Sequence, residues 1–177
     1  MKNNVKKMTT MAILSAMSIV LMLLIRVPLL PAAPYLIYEP ADIPILIGTF
    51  IFGPISGLIM TVVVSVIQAF AFSTDGWVGL VMHVAATGAF VITAGLIYKK
   101  YHKFIGAIVA LAAGTLAMTL VMIPVNLIVQ PNFYGTPIEV VKSLIVPVII
   151  PFNLIKAGVN SLWTLLVYKT ISKLVKK

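Results

Sequence analysis

Asn153 and Lys156 are the side chains whose type and surroundings point most directly to chemistry. They lie three positions apart within the apolar residues 144–167. An ammonium at membrane depth is costly unless it has a partner or a wet cavity. A lysine donates hydrogen bonds, and an asparagine amide both donates and accepts them. The pair therefore predicts a place where a polar molecule or a polar partner is held.

The polar face of this segment extends further along the chain. Asn153, Lys156 and Asn160 have i, i+3, i+7 spacing, which places them on one face of a helix. Asn126 lies in the preceding apolar segment, two residues after a proline. We expect these side chains to border a polar cavity in the outer half of the protein. The alternative is that Asn126 and Asn153 bond to each other, or to backbone groups that nearby prolines leave free.

Three further side chains are candidates for the same cavity. Gln68 and His83 lie in two other apolar segments, where the alternative is a hydrogen bond between helices. Tyr38 belongs to a set of loop aromatic residues that either stack on a flat ligand or form an interfacial belt. The set consists of Tyr35, Tyr38, Trp77, Phe133 and Tyr134.

The composition is that of an integral membrane protein. Of the 177 residues, 61% are hydrophobic and 10% are charged, whereas a soluble domain is about 25% charged. Nearly every residue falls in or beside an apolar segment, so we expect one membrane domain over residues 1–177. The net charge of +9 indicates cytoplasmic loops rather than a nucleic-acid partner. The absence of cysteine excludes thiolate catalysis and Cys-based metal sites.

The apolar segments predict an all-α protein with six transmembrane helices, of which the second is short. Pro151 is expected to kink the last helix or to lie in its first turn, after a short interfacial helix before Pro147. The predicted helices are Val5–Val27, Ala41–Phe52, Ile55–Phe72, Val78–Tyr98, Phe104–Val129, and a last helix within Ile138–Val175.

The charges predict the orientation of these helices. Six helices put both termini on one side, together with most lysines, and the positive-inside rule makes that side cytoplasmic. Arg26 and Lys142 are expected to snorkel to the outer interface, whereas Lys156 lies ~13 Å into its helix. The lysines on the inner side are Lys2, Lys6, Lys7, Lys99, Lys100, Lys103, Lys169, Lys173, Lys176 and Lys177; the four acidic residues on the outer side are Glu39, Asp42, Asp75 and Glu139.

Several kinds of site are missing from the sequence. It contains no P-loop, no Gly-rich nucleotide turn, no metal-ligand cluster and no nucleophile–base pair. With no acidic residue expected at mid-membrane depth, a carboxylate proton relay is also disfavoured. We therefore expect a protein that binds a ligand from outside, is not an enzyme, and does not itself power transport.

Motifs throughout the chain resemble the substrate-binding S components of energy-coupling factor (ECF) vitamin transporters, specifically the riboflavin-specific ones. The most specific motif is Ile150-Pro-Phe-Asn-Leu-Ile-Lys156, together with Asn126. The other motifs are Ala12-Ile-Leu-Ser-Ala16, Pro34-Tyr-Leu, Ala41-Asp-Ile-Pro44, Gly48-Thr-Phe-Ile-Phe-Gly-Pro54, Met118-Thr and Phe133-Tyr-Gly135.

The resemblance implies a six-helix subunit of the bacterial cell membrane that captures riboflavin as transported ligand and has no cofactor of its own. It implies a transmembrane T subunit and two ATPase subunits as partners. Within the complex that they form, the S component topples to deliver the vitamin. Asn126, Asn153 and Lys156 match family positions that bind flavin. Ala12 and Ala16 match the small-residue motif that packs on the T subunit.

The chain departs from the riboflavin-specific pattern in two ways. Val64 and Ser65 stand where those proteins carry a Lys-Asn pair, and Asn160 is additional. One alternative is an S component for another vitamin, such as pantothenate or a pyridine or pyrimidine vitamer. The other is a structural membrane protein whose Lys156 pairs with a partner helix.

Overall fold

The architecture is an all-helical bundle with one small pair of strands. The structure, a computed structural model, describes residues 2–31, 33, 36–71 and 76–175, with side chains from residue 4 to residue 167 of these ranges. Tyr35, Asp75 and the side chains of Lys2 and of the C-terminal lysines lie outside this description. The elements are α1 Lys2–Leu24, β1 Val27–Pro28, β2 Ile37–Tyr38, α2 Asp42–Phe52, α3 Pro54–Ala71, α4 Gly76–Lys100, α5 Phe104–Phe133, α6 Ile138–Leu144, a π-helical turn Ile145–Ile149, and α7 Ile150–Val175.

The predicted all-α membrane fold is confirmed. In the described part of the chain, five helical segments are long and apolar enough to cross a membrane. The segment α2 is a shorter apolar helix of 11 residues, as the sequence predicted for the second helix. The cytoplasmic orientation of the termini stays a prediction.

The largest difference from the expected boundaries is at the end of α5. The helix α5 continues through Pro131 to Phe133, beyond the predicted end at Val129. Pro131 lacks the N–H for one backbone hydrogen bond. The Tyr134 amide nevertheless closes a last turn on the Gln130 carbonyl at 3.2 Å. Pro151 lies in the first turn of α7, which is one of the two expected outcomes, and a missing N–H is least costly there.

The two ends of the bundle have different chemistry. At one end, the Lys7 ammonium lies 5.8 Å from the centre of the Phe52 ring, and Phe50 stacks on Tyr98 with ring centres 4.2 Å apart. These contacts bring together the start of α1 and the ends of α2 and α4. At the other end, the first loop folds back as antiparallel β1 and β2, with Val27 opposite Tyr38. This pairing directs the residues after β2 toward the interior.

Close helix contacts in the core depend on glycine. Gly114 of α5 is buried against α4, and a Cβ added there would overlap the Phe90 ring and lie 3.1 Å from the Phe90 carbonyl oxygen. In lipid, small residues stabilise helix pairs by letting the backbones approach. The contact at Gly114 therefore fixes how closely α4 and α5 pack.

Gly114→Ala should lower the midpoint of thermal unfolding in detergent, because the added methyl group overlaps Phe90. Gly158→Ala is the matched control, since a Cβ added at Gly158 meets nothing within 4 Å. Alanine is favoured over glycine in a helix by roughly 1 kcal/mol, so the control should be neutral or stabilising. Equal midpoints for the two variants would contradict this account of the α4–α5 contact.

Candidate ligand-binding cavity

A cavity of about 630 Å³ lies at the end of the bundle that carries the strands. Its wall includes five of the six binding residues predicted from the sequence: Gln68, His83, Asn126, Asn153 and Lys156. Residues from α1, the first loop, α3, α4, α5 and the α6–α7 segment complete the wall. Helices distant in sequence thus bring the predicted polar groups to one site. Their binding role is still a prediction.

Lys156 is the half-buried cation of the cavity wall. Its ammonium has no hydrogen-bond or ion-pair partner among the described residues, and only a through-space attraction links it to Asp42. A lysine in a membrane bundle normally pairs or faces water. Here it faces the cavity, so its hydrogen bonds are available to a bound molecule.

Asn126 and Asn153 supply hydrogen-bond acceptors. Both side chains are buried, and each amide nitrogen donates to a carbonyl one turn earlier in its own helix, Met122 and Ile149 respectively, at 2.8 Å. The two amides therefore bond neither to each other nor to the carbonyls freed by the prolines, which was the alternative from the sequence. No donor in the described part of the chain reaches either amide oxygen, so both can accept from a ligand.

The rest of the wall is largely apolar, and methionine is prominent in it. Met22, Met82, Met118 and Met122 line the cavity beside Phe152. Thioether sulfur is polarisable and makes favourable contacts with aromatic rings. Such a wall suits a flat, partly apolar molecule. The sequence carried no signal for these residues, because a methionine in an apolar helix is usually core filler.

Beside the cavity, Asp42 is the centre of a buried polar network. It is 0% exposed and accepts hydrogen bonds from Thr87 Oγ1 at 2.8 Å, Asn160 Nδ2 at 2.9 Å and His83 Nε2 at 3.2 Å. Asp42 was expected at the outer side with the other acidic residues, whereas the structure buries it within the bundle. The short helix α2 begins inside the bundle, and its N-terminus and three donors stabilise the carboxylate.

His83 joins the network to a third helix. Its Nδ1 lies 2.7 Å from Ser65 Oγ on α3, and its Nε2 faces Asp42. Both ring nitrogens are thus engaged within the protein. His83 lines the cavity with its ring, while its polar atoms make the hydrogen bonds between helices that were the alternative interpretation.

Tyr38 does not line the cavity, although the sequence made it a binding candidate. Its hydroxyl donates to Asn160 Oδ1 at 2.9 Å, because the pairing of β2 with β1 turns the ring inward. Burial and the nearby Asp42 raise the pKa of Tyr38 to about 12, so its hydroxyl remains a donor at ordinary pH. Asn160, extra to the family pattern, is the residue that bridges Tyr38 and Asp42.

Arg26 and Glu39 also line the cavity, although neither was predicted from the sequence to do so. Arg26 Nε lies 2.9 Å from Glu39 Oε1, and Gln68 Nε2 donates to Glu39 Oε2 at 2.8 Å. Arg26 was expected only to snorkel. One sequence feature could have predicted this ion pair: Arg26 and Glu39 have opposite charges and flank the Pro-rich loop. A loop that folds back brings its two ends together.

The two alanines of α1 lie on the side of the helix that points away from the bundle. Ala12 and Ala16 are exposed, whereas Leu14, Ser15 and Ser18 are buried toward the bundle. These alanines therefore do not pack inside the bundle. The exposed face is open to lipid or to another protein.

A large cavity with a mainly apolar wall and a few polar groups is typical of proteins that bind a small molecule. The chain belongs to the family of substrate-specific components of ECF transporters, whose sequence profile matches residues 6–168. It is therefore a component of a transporter and not an enzyme, and it is a multi-pass protein of the bacterial plasma membrane.

Relatives and a solved structure support this assignment. The chain is 34% identical to the riboflavin transporter RibU of Staphylococcus aureus over 97% of this chain and 93% of the relative. It is 31% identical to the riboflavin transporter FmnP of Bacillus subtilis over 86% and 84% of the two chains. A solved S component of a bacterial ECF transporter superposes over 100% of both chains with a TM-score of 0.84 and 32% identity.

Asp42→Ala should destabilise the protein by about 3–5 kcal/mol, because three buried donors lose their acceptor. The matched control is Glu139→Ala, which removes an exposed carboxylate paired with Lys142 and should cost about 0–1 kcal/mol. Tyr38→Phe should fall between them, at about 1 kcal/mol. Reversible unfolding in mixed detergent micelles gives the three free energies. Similar small values for Asp42→Ala and Glu139→Ala would refute a structural role for the network.

Proposed function

We propose that this chain is the riboflavin-binding S component of an ECF transporter. It acts as a single membrane domain over residues 1–177, with both termini in the cytoplasm. It captures the vitamin at the outer face, and a transmembrane T subunit with two ATPase subunits supplies the energy for uptake. It carries no cofactor of its own and has no nucleic-acid partner.

The observation that carries this proposal is the Lys156 ammonium in a cavity of about 630 Å³, where no described residue pairs with it. This volume lies within the range of about 300–1,000 Å³ typical of small-molecule sites. A flavin has carbonyl and ring-nitrogen acceptors for Lys156 and donors for the oxygens of Asn126 and Asn153. Its ring system suits the methionine-rich apolar wall.

The alternatives are less well supported. Two relatives that match most of the chain are named riboflavin transporters, which favours riboflavin over pantothenate or a pyridine or pyrimidine vitamer. A structural protein would direct Lys156 outward to a partner helix, but Lys156 lines an internal cavity. The exposed pair Ala12 and Ala16 fits an external helix, because small residues allow close approach in lipid.

Lys156→Met should weaken riboflavin binding by roughly 10- to 150-fold, the cost of about 1.5–3 kcal/mol for a charge-assisted hydrogen bond. Quenching of riboflavin fluorescence on titration with purified protein measures the affinity. Lys142→Met removes a lysine that lies outside the cavity wall and pairs with Glu139, so its affinity should match that of the parent protein. Unchanged affinity in Lys156→Met would remove the lysine from the site.

Ala16→Trp should abolish riboflavin uptake in cells supplied with the T subunit and ATPases, while binding to the isolated protein survives. The bulky ring fills the shallow face of α1 that another helix would need. Ala112→Trp, at an exposed alanine of α5, is the control and should retain both activities. Loss of binding together with uptake in Ala16→Trp would indicate a broken bundle, and retention of both would exclude this face from docking.

A further inference from the structure

Three polar residues from separate elements form a chain along one side of the cavity. Arg26 follows α1, Glu39 follows β2, and Gln68 lies on α3. Arg26 Nε contacts Glu39 Oε1 at 2.9 Å, and Gln68 Nε2 donates to Glu39 Oε2 at 2.8 Å. All three residues line the cavity. Glu39 therefore uses one carboxylate oxygen for each neighbour.

The amide oxygen of Gln68 is left without a donor. Gln68 Oε1 is covered from solvent, and it is the one buried side-chain polar atom in the described part of the chain that has no hydrogen-bond partner. Leaving such an acceptor unsatisfied is unfavourable, and native proteins rarely do so without a reason. A site that receives a ligand is one such reason, because a small turn of the Gln68 side chain toward the cavity lets the ligand supply the missing donor.

Glu39 prevents Gln68 from correcting this by turning its amide over. A flipped amide would direct its oxygen at the Glu39 carboxylate, so two acceptors would face each other. Arg26 in turn contacts the other carboxylate oxygen of Glu39. Glu39 as a whole residue is only 8% exposed. The orientation of the Gln68 amide is therefore fixed, with its nitrogen toward Glu39. Its oxygen is left to accept a hydrogen bond from another group.

We propose that Arg26 and Glu39 position Gln68 as an acceptor that selects ligands carrying an N–H or O–H donor at this side of the cavity. The proposal rests on the riboflavin-binding function and adds a determinant of specificity to it. Lys156 can only donate and the Gln68 amide oxygen can only accept, so the two atoms require opposite hydrogen-bonding groups on the ligand. In riboflavin the donor is either the imide N–H of the ring or a ribityl hydroxyl.

Gln68→Met tests the acceptor with three ligands. Methionine keeps the length of the side chain but cannot replace the amide oxygen, so riboflavin affinity should fall roughly 3- to 15-fold. The same variant is titrated with 3-methylriboflavin, which lacks the imide N–H, and with lumiflavin, which lacks the ribityl hydroxyls. The loss should disappear for the analogue that lacks the donor Gln68 recognises, which identifies that donor.

Glu39→Gln tests the positioning role. An amide at position 39 no longer prevents the Gln68 amide from flipping. After the flip, the new amide nitrogen donates to Gln68 Oε1, which is then satisfied within the protein, so riboflavin affinity should fall by a similar factor. Because both residues act on one hydrogen bond, the Glu39→Gln/Gln68→Met double variant should lose little more than either single variant. Glu139→Gln, at an exposed carboxylate outside the cavity, is the matched control and should retain full affinity.

The outcomes separate this proposal from the function on which it rests. If the parent protein binds no riboflavin, the proposed function fails. If the parent protein binds riboflavin but Gln68→Met binds it equally well, or loses the same factor for all three ligands, the acceptor role is overturned. Additive losses in the double variant, with unfolding midpoints unchanged, would overturn the positioning role of Glu39.

Discussion

The arrangement of this site depends on a single buried carboxylate. Asp42 lies at the start of a short helix inside a membrane bundle, where an unpaired charge would be strongly destabilising. Donors from α4 and α7 satisfy it, and Tyr38 extends the network to the first loop through Asn160. One group therefore fixes the relative positions of α2, α4, α7 and the strand that covers the cavity. Removing it would loosen all of them together.

The same network explains why Lys156 can serve a ligand. Asn160, which donates to Asp42, lies one turn after Lys156 on α7. The described donors to the Asp42 oxygens are Thr87, Asn160 and His83, so the lysine has no direct ion pair with the carboxylate. A direct pair would have neutralised Lys156 within the protein. Through-space attraction to Asp42 instead lowers the cost of holding the ammonium at this depth while its hydrogen bonds remain unused.

Local sequence patterns were sufficient for the helices and for much of the cavity. Apolar segment lengths predicted the bundle, and isolated polar residues within those segments predicted Gln68, His83, Asn126, Asn153 and Lys156 in its wall. These signals work because a polar group in a lipid-spanning helix must face the protein interior or water. The sequence also predicted that Asn160 lies on the same helix face, but it did not predict that Asn160 bonds to Asp42 and Tyr38.

The features that the sequence did not predict depend on contacts between distant residues. Tyr38 and Asn160 are 122 positions apart, and Asn160 and Asp42 are 118 apart, so no local periodicity links them. Tyr38 turned inward because β2 pairs with β1 across a loop whose folding back has no strong sequence signature. The pairing of Glu39 with Arg26 and Gln68 depends on the same strand pairing. Where the chain folds back, residue type alone does not decide which side a polar group faces.

The most direct test of the central claim is to identify what the purified protein carries. The protein is extracted in mild detergent, scanned for visible absorbance, denatured, and the released small molecule is analysed by mass spectrometry. A cavity built around Lys156 for a flavin predicts yellow protein that releases riboflavin, or colourless protein that turns yellow when riboflavin is added and the excess removed. Release of a different vitamin, or failure to retain added riboflavin, would contradict the account.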